Sequence, residues 1–179
     1  MFVVLVGTSG AGKTAVANEL QKLGCAEKFI TCTDRNPRED EVNGVHYHFM
    51  SREEFLLAKD AGKFLETFEY AGNNYGSRYE DLQRCCDENK NIVFVMEING
   101  AQKIKNAFPE HTRIVYLKRN LRDLILAVLE RNISDGEKAD RILQMEDDFK
   151  VGSMDCIDYH IKNETGRLHE TVAAVAALL

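Results

Sequence analysis

Lys13 and Thr14 close the octapeptide Gly7-Thr8-Ser9-Gly10-Ala11-Gly12-Lys13-Thr14, which fits G-x-x-x-x-G-K-[ST]. A loop of this pattern wraps a polyphosphate with main-chain N–H groups, brings the lysine ammonium to the outer phosphates and offers the threonine hydroxyl to a magnesium ion. That chemistry needs a strand before the loop and a helix after it, because the helix N-terminus adds donors and the positive end of its dipole. Phe2-Val3-Val4-Leu5-Val6 has no polar residue and reads as a strand buried on both faces, and Val16, Leu20 and Leu23 recur at helical spacing over 15–23. A plain glycine turn has no use for Lys-Thr after its last glycine. Nucleotide binding is the first expectation.

With 179 residues, 44% hydrophobic and 29% charged, the chain has the composition of a globular domain with room for one core and a small inserted lobe. Disorder is not the default for such a composition. A net charge of −6 argues against a nucleic-acid surface, which carries clustered basic residues. Phosphate-binding cations must then be placed locally, which singles out Lys13, Arg35, Arg38, Arg131 and Arg141. The five cysteines show no C-x-x-C spacing and are expected as reduced thiols. The opening apolar run stops at Gly7, too short for a signal peptide, and the closing run over 171–179 is far below the about 20 residues that span a bilayer. We expect a cytoplasmic protein with no nucleic-acid, membrane or obligatory protein partner.

Gly24 suits a helix C-cap, and 28–32 reads as a second strand. Residues 33–41 form a polar loop with Pro37 between Arg35 and Arg38; Asn43-Gly44 signals a turn before a short strand over 45–49. Ser51 and Glu54 have capping-box spacing, predicting a helix from Arg52 to about Ala61. A strand over 64–70, a turn over 71–74 and then Tyr75-Gly76-Ser77 complete a lobe of distinct texture. His46 and His48 share a strand face, but no third ligand stands at a recognisable spacing, so no structural metal is predicted.

After a helix over 79–89, the apolar run 91–98 reads as a buried parallel strand, 100–107 as a helix and 113–117 as another strand. Leu121, Leu124, Ile125, Val128 and Leu129 give an amphipathic helix, Ser134-Asp135-Gly136 a hinge, and Ala139, Ile142, Met145 and Phe149 a second helix. Arg131 and Arg141 flank that hinge, as a flap over phosphates or as solvated helix surface. A strand over 157–161 and a closing helix with Leu168, Val172, Val175 and Leu179 end the chain. The alternation predicts an α/β fold with a parallel sheet.

The P-loop, the segment Thr31-Cys32-Thr33-Asp34-Arg35-Asn36-Pro37-Arg38 with Glu41 to Phe49 after it, and the segment from Phe64-Leu65-Glu66 to Asn74-Tyr75-Gly76-Ser77 together resemble the guanylate kinase family. The likeness continues through Asn99-Gly100-Ala101-Gln102 to the two-arginine hinge. It implies the P-loop nucleoside-monophosphate-kinase fold: a parallel core sheet flanked by helices (1–32 and 81–179), an inserted GMP-binding lobe (33–80) and a short lid (about 131–141). It implies ATP as co-substrate in the loop from Gly7 through Thr8, Ser9, Gly10, Ala11, Gly12 and Lys13 to Thr14, with Mg2+ at Thr14. Carried over by position, Arg35, Arg38, Tyr47 and Tyr75 meet the GMP phosphate and Thr31, Glu66 and Ser77 the guanine; Glu97 joins the GMP set. The catalytic residues so implied are Lys13, Arg35, Arg131 and Arg141, and the reaction is transfer of the ATP γ-phosphate to GMP. A protein-binding module of this fold, or a kinase for another phosphorylated acceptor, are the alternatives. Where the family has Asp-x-Asp, this chain reads Val95-Met96-Glu97, and its hinge is about a residue short.

Overall fold

The computed structural model describes residues 1–70 and 72–179, with Tyr70 described by its backbone alone. The expected turn over 71–74 therefore lies, at Ala71, outside the described residues. In chain order the elements are β1 (Phe2–Val6), α1 (Lys13–Lys22), β2 (Glu27–Lys28), β3 (Cys32–Thr33), β4 (His48–Phe49), α2 (Arg52–Asp60), β5 (Phe64–Tyr70), β6 (Asn73–Arg78) and α3 (Tyr79–Asp87), followed by β7 (Ile92–Val95), α4 (Ile98–Ala107), β8 (Thr112–Lys118), α5 (Leu121–Leu129), α6 (Asp135–Leu143), α7 (Met145–Val151), β9 (Tyr159–Lys162) and α8 (Leu168–Ala176). They fall into two compact units, Met1–Lys28 with Asn91–Leu179, and Phe29–Lys90.

The first unit is built on a parallel sheet of order β2-β7-β1-β8-β9. All five residues of β1 are buried because the strand is paired on both edges and covered on both faces. Val3 and Leu5 join Val16, Leu20, Val115, Leu124, Val172 and Val175 in one core cluster, while Phe2 meets Phe94 and Phe108 edge-on at 5.6 and 5.7 Å. Truncating Leu20, which is fully buried, to alanine is expected to cost about 2–5 kcal/mol. From β1 the chain runs out to edge strand β2, returns as β7 beside β1, and then builds outward on the other side as β8 and β9. Connections part at the carboxyl end of β1, and such a switch point leaves a crevice for a ligand. Gly7 follows β1 there.

The second unit carries a mixed sheet of order β4-β3-β6-β5, with β3 and β5 antiparallel to β6 and β4 parallel to β3. Ser51 and Glu54 form the expected capping box at the start of α2, with bonds of 3.1 and 2.7 Å. From α2 the buried Phe55 stacks on Phe64 at 4.6 Å.

Several expected boundaries move. The strand predicted over 28–32 is two short strands in different sheets, β2 and β3, because the chain leaves one unit for the other between Lys28 and Phe29. The strand over 45–49 shrinks to β4, since Gly44, with φ of 76°, keeps the preceding residues in a turn. The strand over 91–98 ends at Val95 because Glu97 is already the N-cap of α4. The single helix over 139–149 is two, divided at Gln144. Tyr75-Gly76-Ser77 lies within β6, and the last strand is Tyr159–Lys162. All five cysteines are free thiols, and among the described residues no helix is long and apolar enough to cross a membrane.

Candidate active site

The P-loop is held from behind. At Gly7 a Cβ would come within 2.8 Å of the Leu117 carbonyl oxygen, so only glycine lets the chain leave β1 this close to β8. Gly12, in the left-handed conformation with φ of 90°, is the N-cap of α1, and a Cβ there would collide with the Asn163 side chain. Asn163 is buried just past β9. Its Nδ2 donates to the Ala11 carbonyl at 2.7 Å, and its Oδ1 accepts from the Thr171 hydroxyl at 2.9 Å. In a planar trans peptide the N–H points opposite the carbonyl, so this bond turns the Gly12 N–H away from Asn163. Arg119 donates from Nη1 to the Gly10 carbonyl at 2.8 Å and from Nη2 to the Thr165 hydroxyl at 2.8 Å. The N-terminus of α1 carries neither a side-chain cap nor an acidic residue in its first turn. Its positive end is left for an anion.

Gly7, Ser9, Lys13, Thr14, Glu97, Arg131, Arg141, Gln144 and Asp148 line a cavity of ≈ 420 Å³ beside this loop. Thr8 and Ala11 are buried. The Lys13 ammonium donates to the carbonyl oxygens of Gly7 and Thr8, the latter at 3.2 Å. Its pKa lies below the ordinary 10.5, chiefly because burial disfavours the charge; Glu97 and Asp148 oppose that shift, and Arg131 and Arg141 add to it. Arg141 Nη1 donates to the Ser9 hydroxyl at 3.4 Å, and the Ser9 N–H donates to Asp148 Oδ2 at 3.3 Å. Three cations against two carboxylates in one cavity suit a polyanion. Lys13, Thr14, Arg131 and Arg141 are thus brought together, and Glu97, expected with the GMP residues, lines this cavity with them. Asp148 and Asn163 were not foreseen: Asp148 ends an acidic run, Glu146-Asp147-Asp148, that reads as solvated helix, and Asn163 carries no local signal at all.

The second unit gathers another polar group. Arg35 Nη2 donates to both oxygens of Glu41 at 2.7 and 2.8 Å and Nη1 to the Asn36 carbonyl at 2.8 Å, with the guanidinium 5.4 Å from the Tyr47 ring centre and 5.7 Å from that of Phe49. Glu41 also accepts from the Arg38 N–H at 2.8 Å; these bonds, the Arg35 pair first, pull its pKa down to about 2. The same pair raises that of Arg35. Asp34 fastens the start of this loop to β6, accepting from the main-chain N–H and the side-chain amide of Asn74 at 2.6 and 2.7 Å. The β5–β6 register sets Phe68 opposite Tyr75 and, past an irregularity between Phe64 and Glu66, Glu66 opposite Ser77. Tyr75 accordingly stacks on Phe68 at 5.1 Å and meets Tyr47 edge-on at 5.9 Å, and the Ser77 hydroxyl donates to Glu66 Oε1 at 2.8 Å, both residues buried. The hairpin therefore presents Glu66, Phe68, Tyr75 and Ser77 on one face.

Arg35, Tyr47 and Tyr75 come together, as do Glu66 and Ser77. Arg38 is exposed and enters through its main-chain N–H, while the Thr31 carbonyl accepts from the His48 N–H at 2.9 Å. Glu41 and Asp34, which position the arginine loop, were not foreseen as site residues. His46 Nδ1 accepts from the Val42 N–H at 3.0 Å, and among the described residues no group of three or more His, Cys, Asp or Glu side chains is arranged to hold a metal.

A sequence profile described as guanylate kinase matches residues 1–179. The guanylate kinase of Shouchella clausii (strain KSM-K16) is 31% identical over 165 residues, 92% of this chain and 80% of that one. That of Bacillus subtilis (strain 168) is 32% identical over 169 residues, 92% and 81% of the two chains. Among solved structures, guanylate kinase from Anaplasma phagocytophilum superposes with a TM-score of 0.68 at 24% identity, covering 99% of this chain and 82% of that one. Shikimate kinase from Acinetobacter baumannii, in complex with shikimate, gives 0.52 at 14% identity, covering 99% and 91%. The structural likenesses establish a P-loop kinase fold; by the profile and the sequence relatives, the chain belongs to the guanylate kinase family.

Proposed function

We propose that this chain transfers the γ-phosphoryl group of ATP to GMP, giving ADP and GDP. By family it is an ATP-dependent nucleoside monophosphate kinase. The observation that carries the acceptor is the make-up of the second unit: a guanidinium among tyrosine rings supplies a phosphate end, and a buried carboxylate–hydroxyl pair on the adjoining hairpin face supplies a base end. Arg35 and Arg38 with the hydroxyls of Tyr47 and Tyr75 match a phosphate dianion in charge and donors. Glu66 accepts from guanine N1–H and the 2-amino group, with Ser77 and Thr31 adding hydroxyls. Adenine would set an acceptor, its N1, against that carboxylate and so lose the bonds guanine makes.

At the donor end, Lys13 and the loop N–H groups hold the β- and γ-phosphates, and Arg131 and Arg141 neutralise charge as it shifts toward the transferring group. The donor set fits Mg2+, a hard cation that takes few protein ligands and keeps phosphate and water oxygens: Thr14, with its hydroxyl, and Glu97, with its carboxylate, line the same cavity. Bound there with ATP, the ion supplies charge neutralisation at the phosphates. A GMP phosphate oxygen attacks the γ-phosphorus in line, the bond to the β–γ bridging oxygen breaks, and ADP leaves with no covalent enzyme intermediate. Free thiols at all five cysteines suit action in the cytoplasm. The test is a coupled ADP-release assay with MgATP and GMP, with GDP identified by chromatography. Formation of one GDP per ADP is expected, and ADP release without GDP, or neither, would overturn the proposal.

A further inference from the structure

Asp148, on α7, touches the P-loop directly through its carboxylate and, by way of Tyr116, through its main-chain carbonyl. The Ser9 N–H donates to its carboxylate at 3.3 Å, and its main-chain carbonyl accepts at 3.2 Å from the Tyr116 hydroxyl, which lies 3.4 Å from the hydroxyl of Thr8. Its carboxylate faces the cavity and helps keep Lys13 charged against burial. Arg141, on α6, reaches the hydroxyl of the same Ser9 at 3.4 Å. The Lys13 ammonium sits on the carbonyls of Gly7 and Thr8. A P-loop lysine reaches the β- and γ-phosphates, so Ser9, next along, belongs to the outer-phosphate end of the loop. Its N–H is then a donor for the last phosphate, and Asp148 is the anion that already accepts from it.

We infer that Asp148 is a built-in competitor for the γ-phosphate of ATP, an inference that rests on ATP occupying the P-loop cavity. The Asp148 carboxylate and a γ-phosphate require the same Ser9 N–H and the same Lys13 charge, and as like charges they repel. ATP must therefore displace the Asp148 carboxylate, whereas ADP, which has no γ-phosphate, leaves Asp148 in its place. The residue acts as a positioning group that biases the loop between its two nucleotides: it weakens ATP and leaves ADP nearly untouched.

The test is calorimetric titration of ATP and of ADP, each with and without Mg2+ and with no GMP present, into the wild type, Asp148→Asn and Asp148→Glu. Asp148→Asn should bind ATP about five- to tenfold more tightly than the wild type, with ADP changed less than about twofold, and Asp148→Glu should stay near the wild type. In steady state the KM for ATP should fall while the KM for GMP holds. A residue that only braces the loop would give the opposite sign, weaker ATP binding with a lower Tm. Weaker or unchanged ATP binding in Asp148→Asn would overturn the inference. So would equal tightening of ATP and ADP, the mark of a general charge effect. Weaker MgATP with metal-free ATP unchanged would put Asp148 on the metal side and overturn it too. Because the readout is binding without GMP, failure of GMP turnover counts against the proposed activity alone.

Discussion

The two units prepare for a phosphate by opposite means. In the P-loop itself the donors are main-chain N–H groups and one lysine, shaped by glycines and pinned from behind by Asn163 and Arg119, with Arg131 and Arg141 added from later in the chain. In the second unit they are side chains, with Nη2 of Arg35 held by both oxygens of Glu41 and its guanidinium set against Tyr47, and Tyr75 stacked on Phe68. A main-chain site depends on backbone conformation, so it writes a local motif. A side-chain site depends on register and on partners far along the chain, so no contiguous pattern marks it.

That contrast can be broken at each end. The largest effect is expected from Lys13→Met, which removes the one cation inside the motif: kcat should fall by about 10²–10³-fold while GMP binding, followed by titration, holds. Arg35→Lys keeps the charge but loses the fork that matches a phosphate, and should raise the KM for GMP by about tenfold or more with ATP affinity unchanged. Gly12→Ala tests backbone shape without touching charge. The left-handed φ and the collision with Asn163 should cost about 1–3 kcal/mol of stability, read as a lower Tm, and should weaken ATP binding more than GMP binding.

The smallest and most local effect concerns pH. Glu41 has its folded-state pKa pulled from 4.5 to about 2 by Arg35 and the Arg38 N–H. A depressed carboxylate contributes above its unfolded value and loses that contribution only as pH falls through the folded one. The Arg35–Glu41 pair should therefore persist as acid passes the ordinary carboxylate range and open only toward about 2. Carboxyl chemical shifts followed by NMR from neutral to acid pH check this; titration of Glu41 near 4.5 would contradict it.

The same contrast explains what could be read in the sequence. The strand, loop and helix over Phe2–Val6 and Lys13–Lys22 were legible because apolar period and glycine spacing are local. Strands β2 and β3 are two residues long each and owe their existence to partners in different sheets, so no period announces them. The break at Gln144 has neither glycine nor proline to mark it. Among site residues, Lys13 and Thr14 stood out from spacing and Arg35 from the acidic charge balance, whereas Glu66 and Ser77 became candidates only through family resemblance. The pairing of Glu66 with Ser77 follows from a register irregularity beside Phe64. Asp148 reaches Ser9 across 139 positions of sequence, a contact only tertiary packing creates.

The most direct test of the central claim, that the second unit selects guanine through Glu66, is kcat/KM for GMP, IMP and AMP with the wild type and Glu66→Gln. The wild type should favour GMP over AMP by about 10⁴-fold. Glu66→Gln should lose more with GMP than with IMP, because IMP has no 2-amino group to face the new amide. Equal use of AMP and GMP, or equal losses for GMP and IMP in the variant, would contradict the account.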